Sequence, residues 1–190
     1  MSIKLIVGLC NPGAAYQYTR HNAGGWFVEA LAKQDNAVFK ADKKMQGGLA
    51  ELNVQNLTCK LLLPLTFMNH SGFPVRAVCQ FYRIEPHELL VVHDELDLPA
   101  GRIKLKIGGG HGGHNGLRDV TAHLGSANFH RLRVGISHPG DKNRVLDFVL
   151  GRPSKSDKIE IDQSIDAALQ VLPLVVEGQI SRAMTMLHTN

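Results

Sequence analysis

The pattern of apolar and polar positions predicts short strands interleaved with helices. Four apolar runs have the length of buried strands: 3–8, 49–54, 57–63 and 89–93. Segments 102–107 and 131–137 alternate basic and apolar residues, which is typical of half-exposed strands. The second and third runs are separated only by Gln55 and Asn56, so we expect them to pair as a hairpin.

Helical patterns occupy most of the chain between these strands. Ser71 is expected to be the N-cap of a helix that tolerates Pro74 in its first turn. The last helical stretch should be broken at Pro173 and Gly178. The alternation of helices and strands predicts a single α/β domain, residues 1–190, with a mixed sheet flanked by helices. The predicted helical segments are 25–32, 71–82, 117–124 and 154–187.

A glycine-rich stretch follows the strand 102–107. Six of the nine residues in 108–116 are glycine, and the other three are His111, His114 and Asn115. Ordering such a loop costs conformational entropy, so its retention predicts close approach of backbone to a ligand at a helix N-terminus. The spacing G-x-G-x-x-G is met, but the next strand ends in Ser-His-Pro instead of the acidic residue that a dinucleotide site needs. We therefore do not interpret it as a nucleotide-cofactor site.

Composition and charge narrow the class of protein. With 190 residues, 44% hydrophobic and 20% charged, the chain is ordinary globular protein, with neither a signal peptide nor an apolar run of membrane-spanning length. Three widely spaced cysteines, an odd number, predict reduced thiols in a cytosolic protein. Residues 100–152 hold nine Lys and Arg against three Asp and Glu, whereas the whole chain is only +4. This basic segment suits a polyanionic partner, although a solvated basic surface explains it equally well.

Polar residues with catalytic potential follow several predicted strands. In an open α/β sheet the loops after the strands converge, so we expect these residues to share one site. A histidine paired with a carboxylate can act as a general base, and asparagine amides can hold a carbonyl and stabilise an oxyanion. The chain lacks G-x-S-x-G, H-E-x-x-H and C-x-x-C motifs. The chemistry predicted from the residues is hydrolysis of an acyl ester linked to nucleic acid. The residues are Asn11, His21, Asn69, Asp94, His114 and Asn115.

Two alternatives stay open at this point. Asp94 and Asp97 with His111 and His114 could ligate a metal in an RNA phosphoesterase. A non-catalytic RNA-binding module would need only the basic stripe, which the two alternating strands place outward. Each polar residue also has a structural explanation, such as turn formation by Asn11 before Pro-Gly.

Five separated blocks of sequence resemble the bacterial peptidyl-tRNA hydrolase family, over nearly the whole chain. Any one block is moderately specific, whereas all five in order are not expected by chance. They comprise 8–13 with Tyr16 and 19–24; 67–72; 93–97; 108–117; and 138–142.

The resemblance implies hydrolysis of the ester between a peptide and tRNA, which returns free tRNA to translation. It implies that His21 is the general base, that Asp94 orients it, and that Asn11 separates N-blocked from free aminoacyl-tRNA. It also implies a cytoplasmic monomer with a twisted sheet, no cofactor and no metal. The resemblance implies that Tyr16, Phe67, Asn69 and Asn115 contact the substrate, with Asn69 and Asn115 holding the peptide or terminal nucleotide, and that Met68 and His114 line the site. Residues implied to contact tRNA phosphates are Lys104, Lys106 and Arg133.

Overall fold

A mixed sheet runs through the centre of the computed structural model, which describes residues 1–189. Within that part of the chain the sheet has seven strands in the order β2-β3-β4-β1-β5-β7-β6. The four strands β4, β1, β5 and β7 are parallel, whereas β2, β3 and β6 run antiparallel to their neighbours. The strands are β1 Leu5–Gly8, β2 Lys40–Asp42, β3 Gly47–Val54, β4 Leu57–Pro64, β5 Leu89–Glu95, β6 Ile103–Ile107 and β7 His130–Gly135.

Helices cover both faces of the sheet and bury two apolar clusters. One cluster packs the sheet against α1, α5 and α6, and the other packs it against α2 and α3. The predicted α/β domain with a mixed sheet is confirmed. The helices are α1 Ala23–Gln34, α2 Gly72–Tyr82, α3 Asn115–Leu124, α4 Val145–Val149, α5 Lys155–Val176 and α6 Ile180–His188, with 3₁₀ turns at Arg20–Asn22, Met68–His70, Pro86–Glu88 and Lys142–Arg144.

Because the central strands β4, β1, β5 and β7 are parallel, their carboxyl ends all lie at the same end of the sheet. Asn11 follows β1, the turn Met68–His70 follows β4, and Asp94 lies at the end of β5. Adjacent parallel strands place these residues side by side, as the post-strand argument predicts. Asp94 itself belongs to β5 and not to the loop that follows it.

The predicted hairpin is confirmed. β3 and β4 pair in register from Gly47 opposite Pro64 to Val54 opposite Leu57. Gln55 and Asn56, which join them, both have positive φ, at 46° and 70°. Two residues of this conformation form the tight turn whose twist matches a hairpin.

Some local predictions are wrong. Ser71 occupies the N-cap position of α2 as predicted, but its side chain does not cap the helix: its hydroxyl donates to the Met68 carbonyl, and the Asp119 carboxylate accepts from the Gly72 N–H instead. Pro173 does not break α5, which continues to Val176 although the proline cannot donate the hydrogen bond of an ordinary helical residue. The break at Gly178 is confirmed. Strand β2 and helix α4 were not predicted.

The glycine-rich stretch does not begin beside the carboxyl ends of the parallel strands, where the sequence predicted it. Because β6 is antiparallel to β7, its last residue Ile107 lies opposite His130, at the beginning of β7. The loop therefore begins at the end of the sheet that is opposite the gathered carboxyl ends. It then returns, and α3 begins at Asn115, two residues earlier than predicted.

Neither a membrane-spanning helix nor a disulfide is found among the described residues. In residues 1–189, no helix combines the length and the apolarity needed to cross a membrane. Cys10, Cys59 and Cys79 are free thiols, and the latter two are buried.

Close packing of α1 on the sheet predicts a strong effect of Gly24→Ala. A Cβ at Gly24 would overlap the Val92 carbonyl and lie 3.0 Å from the Leu9 nitrogen. Neither backbone can move without disturbing β1 or β5, so we expect a loss of about 2–3 kcal/mol in the free energy of unfolding, measured by urea denaturation.

Gly48→Ala is the matched control, because the nearest atoms to its Cβ would be 3.8 Å away. We expect it to change the free energy of unfolding by no more than about 0.5 kcal/mol. Equal effects of the two substitutions would contradict the close approach of α1.

Candidate active site

His21 and Asp94 form a hydrogen-bonded pair at the floor of a cleft. The 3₁₀ turn Arg20–Asn22 carries His21, and the end of β5 carries Asp94. His21 Nδ1 lies 3.0 Å from Asp94 Oδ1 and 2.9 Å from Oδ2. Asp94 is buried, whereas the side chain of His21 is 12% exposed. Residues 73 positions apart are thus brought into direct contact.

A second histidine binds the same carboxylate. His114 Nε2 lies 2.8 Å from Asp94 Oδ1, and His114 Nδ1 accepts the Leu117 N–H at the beginning of α3. Because Nδ1 accepts, the proton of a neutral His114 is on Nε2 and is donated to Asp94. Asp94 therefore receives N–H donors from both sides.

These contacts perturb the pKa values of the pair. Burial would raise the pKa of the Asp94 carboxyl, but the charges and hydrogen bonds of His21 and His114 hold it well below its ordinary value. Burial lowers the pKa of His21, and the Asp94 charge and hydrogen bond outweigh it, so the net shift is upward. An ionised Asp94 fixes the His21 proton on Nδ1. Nε2 then carries the lone pair, and it is accessible from the cleft.

His93 supports this cluster and was not found from the sequence. It is fully buried, its Nδ1 donates to the Asp94 carbonyl, and its ring packs edge-on to His114 with 5.2 Å between centroids. Burial and the neighbouring His114 lower its pKa to about 3. A neutral ring at this position adds no positive charge beside Asp94.

Asn11 is held in one orientation by backbone and side-chain contacts. Its Oδ1 accepts the Met68 N–H at 2.6 Å, and its backbone N–H and carbonyl bind the amide of Asn22 at 2.8 and 2.9 Å. Within residues 1–189, Asn11 Nδ2 has no hydrogen-bond partner. Asn11 and Asn22 line a neighbouring cavity and not the cleft that contains His21 and Asp94. A fixed, unused N–H donor is nevertheless suited to binding a carbonyl oxygen. Asn22, like His93, was missed because only the tertiary fold reveals its contact.

Of the remaining predicted contact residues, Asn115 lines the same cleft as His21 and Asp94, whereas Tyr16, Phe67, Met68 and Asn69 do not. Tyr16 packs edge-on to Phe67, with ring centroids 6.0 Å apart, and Phe67 is 55% exposed. Met68 is buried, and its sulfur is so close to Gly116 that a Cβ there would lie 2.6 Å away. Asn69 and Asn115 are both exposed, one in the 3₁₀ turn after β4 and one as the first residue of α3.

The predicted basic stripe is only partly exposed. Lys104 and Lys106 are exposed on β6, and Arg133 on β7 is half-buried and paired with Glu95 at 2.9 Å. Arg131 is buried, contrary to its predicted outward orientation. Its guanidinium donates to the carbonyls of Gly108 and Gly110, so the glycine loop covers it. The alternation of basic and apolar residues identifies the face of β7 on which Arg131 lies, but it cannot show that the glycine loop covers that face.

The cleft, with a volume of about 640 Å³, has two chemically different walls. His21, Asp94 and His114 lie at its floor. One wall, from β6 and β7, contains the basic residues Lys106, Arg131 and Arg133, whereas the other, from α4, contains the apolar residues Val145, Leu146 and Val149, with Lys142 in the turn that precedes it. The lining also includes the acidic residues Glu95 and Asp97.

The metal-ligand set considered from sequence is not brought together. His111 Nδ1 accepts the Gly113 N–H, and Asp97 is exposed. Among residues 1–189, the group with metal-ligand spacing is instead His21, Asp94 and His114, whose ligand atoms lie within 4.8 Å of one another. In this group the imidazole N–H groups bind the carboxylate directly.

Comparison with known proteins gives one consistent result. A family model described as peptidyl-tRNA hydrolase matches residues 5–190. A peptidyl-tRNA hydrolase of Legionella pneumophila (strain Lens) is 61% identical, covering 99% of this chain and 100% of the relative. One from Neisseria meningitidis is 50% identical, covering 99% and 98%. The crystal structure of the Acinetobacter baumannii peptidyl-tRNA hydrolase superposes with a TM-score of 0.95 at 50% identity, covering 97% of this chain and 94% of that one.

The pKa shifts predict opposite titration behaviour for His21 and His93. In an NMR-monitored titration, the pKa of His21 should lie above the ordinary histidine value of about 6.5. The His93 ring, with a pKa of about 3, should stay neutral throughout the accessible range. Asp94→Asn removes the attracting charge, so it should lower the pKa of His21. An unchanged His21 titration in that variant would contradict the assigned pairing.

Proposed function

The chain belongs to the peptidyl-tRNA hydrolase family, and on that premise we propose that His21 is the general base with which it hydrolyses the ester between peptide and tRNA. The observation that carries the proposal is the His21–Asp94 pair at the floor of a cleft with one basic wall. An ester is activated enough for direct attack by water, so a protein nucleophile is not needed.

The proposed reaction begins when a water molecule donates its proton to His21 Nε2. The water oxygen attacks the ester carbonyl carbon, and the carbonyl oxygen takes the negative charge of the tetrahedral intermediate. As the C–O bond to the ribose breaks, the ribose oxygen takes the proton from His21. Asp94 stabilises the transient imidazolium and keeps its ring oriented. The peptide is released as a carboxylic acid that loses its proton to solvent, tRNA leaves, and His21 is neutral again.

Asn11 is proposed to select N-blocked substrates. In peptidyl-tRNA the nitrogen of the esterified residue is acylated, and the new amide carbonyl can accept from Asn11 Nδ2. In free aminoacyl-tRNA the same position carries an ammonium group, which has donors but no acceptor. The Met68 N–H prevents Asn11 from rotating to offer its oxygen instead. A fixed donor therefore favours the blocked substrate.

The other predicted residues are proposed to bind the two parts of the substrate. Asn69 and Asn115 are proposed to hold the peptide or the terminal nucleotide by their exposed amides. Lys104, Lys106 and Arg133 are proposed to bind tRNA phosphates, which need positive charge but little geometry. Tyr16 and Phe67 are proposed to contact the substrate, and Met68 and His114 to line the site. We further propose that the protein acts as a metal-free cytoplasmic monomer, with residues 1–190 forming one catalytic domain.

The first test measures release of an N-acetylated amino acid from tRNA, with EDTA present and free aminoacyl-tRNA alongside. The blocked substrate should be cleaved, the free one spared and the chelator without effect. His21→Ala should reduce kcat by about 10²–10⁴-fold, because the general base is absent, while tRNA binding persists.

His87→Ala is the matched control, since His87 lies in the 3₁₀ turn at the beginning of β5, remote from Asp94 at the other end. Loss of activity on adding EDTA would favour the metal alternative built on His21, Asp94 and His114. A loss of tRNA binding in His21→Ala, with normal turnover of what still binds, would contradict the role assigned to His21.

A second test addresses the basic strand β6. Replacing Lys104 and Lys106 by Gln should raise KM more than it lowers kcat. It should also reduce the slope of log affinity against log salt by about one for each tRNA phosphate that is no longer neutralised. Lys40→Gln with Lys43→Gln is the control, because both are exposed near β2, at the opposite edge of the sheet. Equal salt slopes for the two double variants would refute the assignment.

A further inference from the structure

Helix α4 forms the apolar wall of the cleft. It contains five residues, Val145–Val149, and a helix this short is unstable without tertiary contacts. Val149 is buried in the core and Val145 and Phe148 pack against the same apolar cluster, whereas Leu146, which lines the cleft, is 65% exposed. The core therefore holds one face of α4, and polar contacts from elsewhere in the chain reach its C-terminal end.

Arg20 supplies three contacts to the end of α4. Its backbone N–H donates to the Gly151 carbonyl at 3.0 Å, and its Nη1 donates to the Phe148 carbonyl at 2.9 Å. Its guanidinium carbon also lies 3.9 Å from the centre of the Phe148 ring. The last carbonyls of a helix attract positive charge; that of Phe148 already accepts the Gly151 N–H at 3.1 Å, and Arg20 adds a second, charged donor to it. Arg20 therefore caps α4 from a segment 128 residues away.

An ordinary surface role does not account for these contacts. Among residues 1–189, no carboxylate forms an ion pair with Arg20. Its guanidinium is instead directed at backbone and an aromatic face. Burial lowers its pKa, and only the more distant charge of Asp157 opposes this. A guanidinium offers both a flat face for stacking and several donors, a combination that lysine lacks.

The position of Arg20 in the sequence links α4 to the catalytic base. Arg20 and His21 are consecutive residues of one 3₁₀ turn, and His21 forms the floor of the cleft that α4 borders. We propose that Arg20 is a positioning residue that fixes α4 relative to His21, so that the apolar wall and the general base keep one spacing. Its consequence for kinetics rests on the proposed function, whereas its consequence for α4 does not.

The cleft implies what this spacing serves. The ester must lie at the His21 floor, with tRNA phosphates toward the basic wall. Leu146 and Val149 then border the reacting group and limit the access of water from one side. Loosening α4 should weaken substrate binding while leaving the His21–Asp94 pair intact.

The experiment compares Arg20→Met, Arg20→Lys and Arg152→Met. Methionine keeps the length of the stem and removes the donors, while lysine keeps the charge but not the stacking fork. Arg152 is the control for charge, because it follows Gly151 directly but lies over Tyr18, at 5.0 Å from its ring. The readouts are amide hydrogen exchange of residues 146–151 and separate kcat and KM values with N-acetyl-aminoacyl-tRNA.

In Arg20→Met the amides of 146–151 should exchange at least about tenfold faster, and KM should rise by about tenfold with a smaller change in kcat. The pH dependence of kcat should not move, because His21 keeps its partner. Arg20→Lys should recover part of the effect, and Arg152→Met should match the wild type. Wild-type exchange of 146–151 in Arg20→Met would overturn the proposal, and so would faster exchange with unchanged KM.

If the wild-type protein released no amino acid from the blocked substrate, the proposed function would fail instead. The exchange measurement would still decide whether Arg20 holds α4. A general loss of stability would accelerate exchange throughout the sheet and lower the active fraction without raising KM, which also counts against a positioning role.

Discussion

The buried carboxylate of Asp94 is the constraint on which the site depends. A carboxylate removed from water is costly unless charge-assisted hydrogen bonds replace its hydration. Here the donors come from His21, after β1, and His114, at the beginning of α3. The need to satisfy one charge thus fixes the position of two distant segments. The same hydrogen bonds set the tautomers of both imidazoles. The Asp94 carboxylate therefore serves the fold and the proposed catalysis through the same contacts.

The order of strands makes this arrangement possible. β1 lies between β4 and β5, and all three are parallel, so the residues that follow these strands lie close together at one end of the sheet. Asn11 then reaches the Met68 N–H across the gap between β1 and β4. The glycine loop begins at the other end of the sheet, yet Arg131 binds two of its carbonyls and guides it back toward Asp94. The site therefore depends on the parallel strands together with the Asn11–Met68 hydrogen bond and the buried guanidinium of Arg131.

The sequence predicted features that local chemistry determines. The hairpin turn at Gln55 and Asn56 follows from two strands separated by two residues, and the pairing of His21 with Asp94 follows from residue type and family resemblance. It did not predict features that depend on a distant partner. Ser71 has good N-cap chemistry, but the Asp119 carboxylate of another helix takes that place. Helix α4 is too short to show periodicity, and Arg131 alternates like an exposed residue although the loop covers it.

The way Asp94 is satisfied also bears on which substrate the site accepts. A free carboxylate in the cleft would attract the ammonium group of aminoacyl-tRNA, the substrate that the proposed selection must reject. Asp94 is buried and its oxygens are occupied by His21 and His114, so little of its charge is offered to a ligand. What Asn11 offers to the acylated end of the substrate is instead a neutral N–H donor, which binds a carbonyl and gains nothing from an ammonium. The proposed selection for the blocked amine thus depends on the burial of the Asp94 charge as much as on the N–H donor of Asn11.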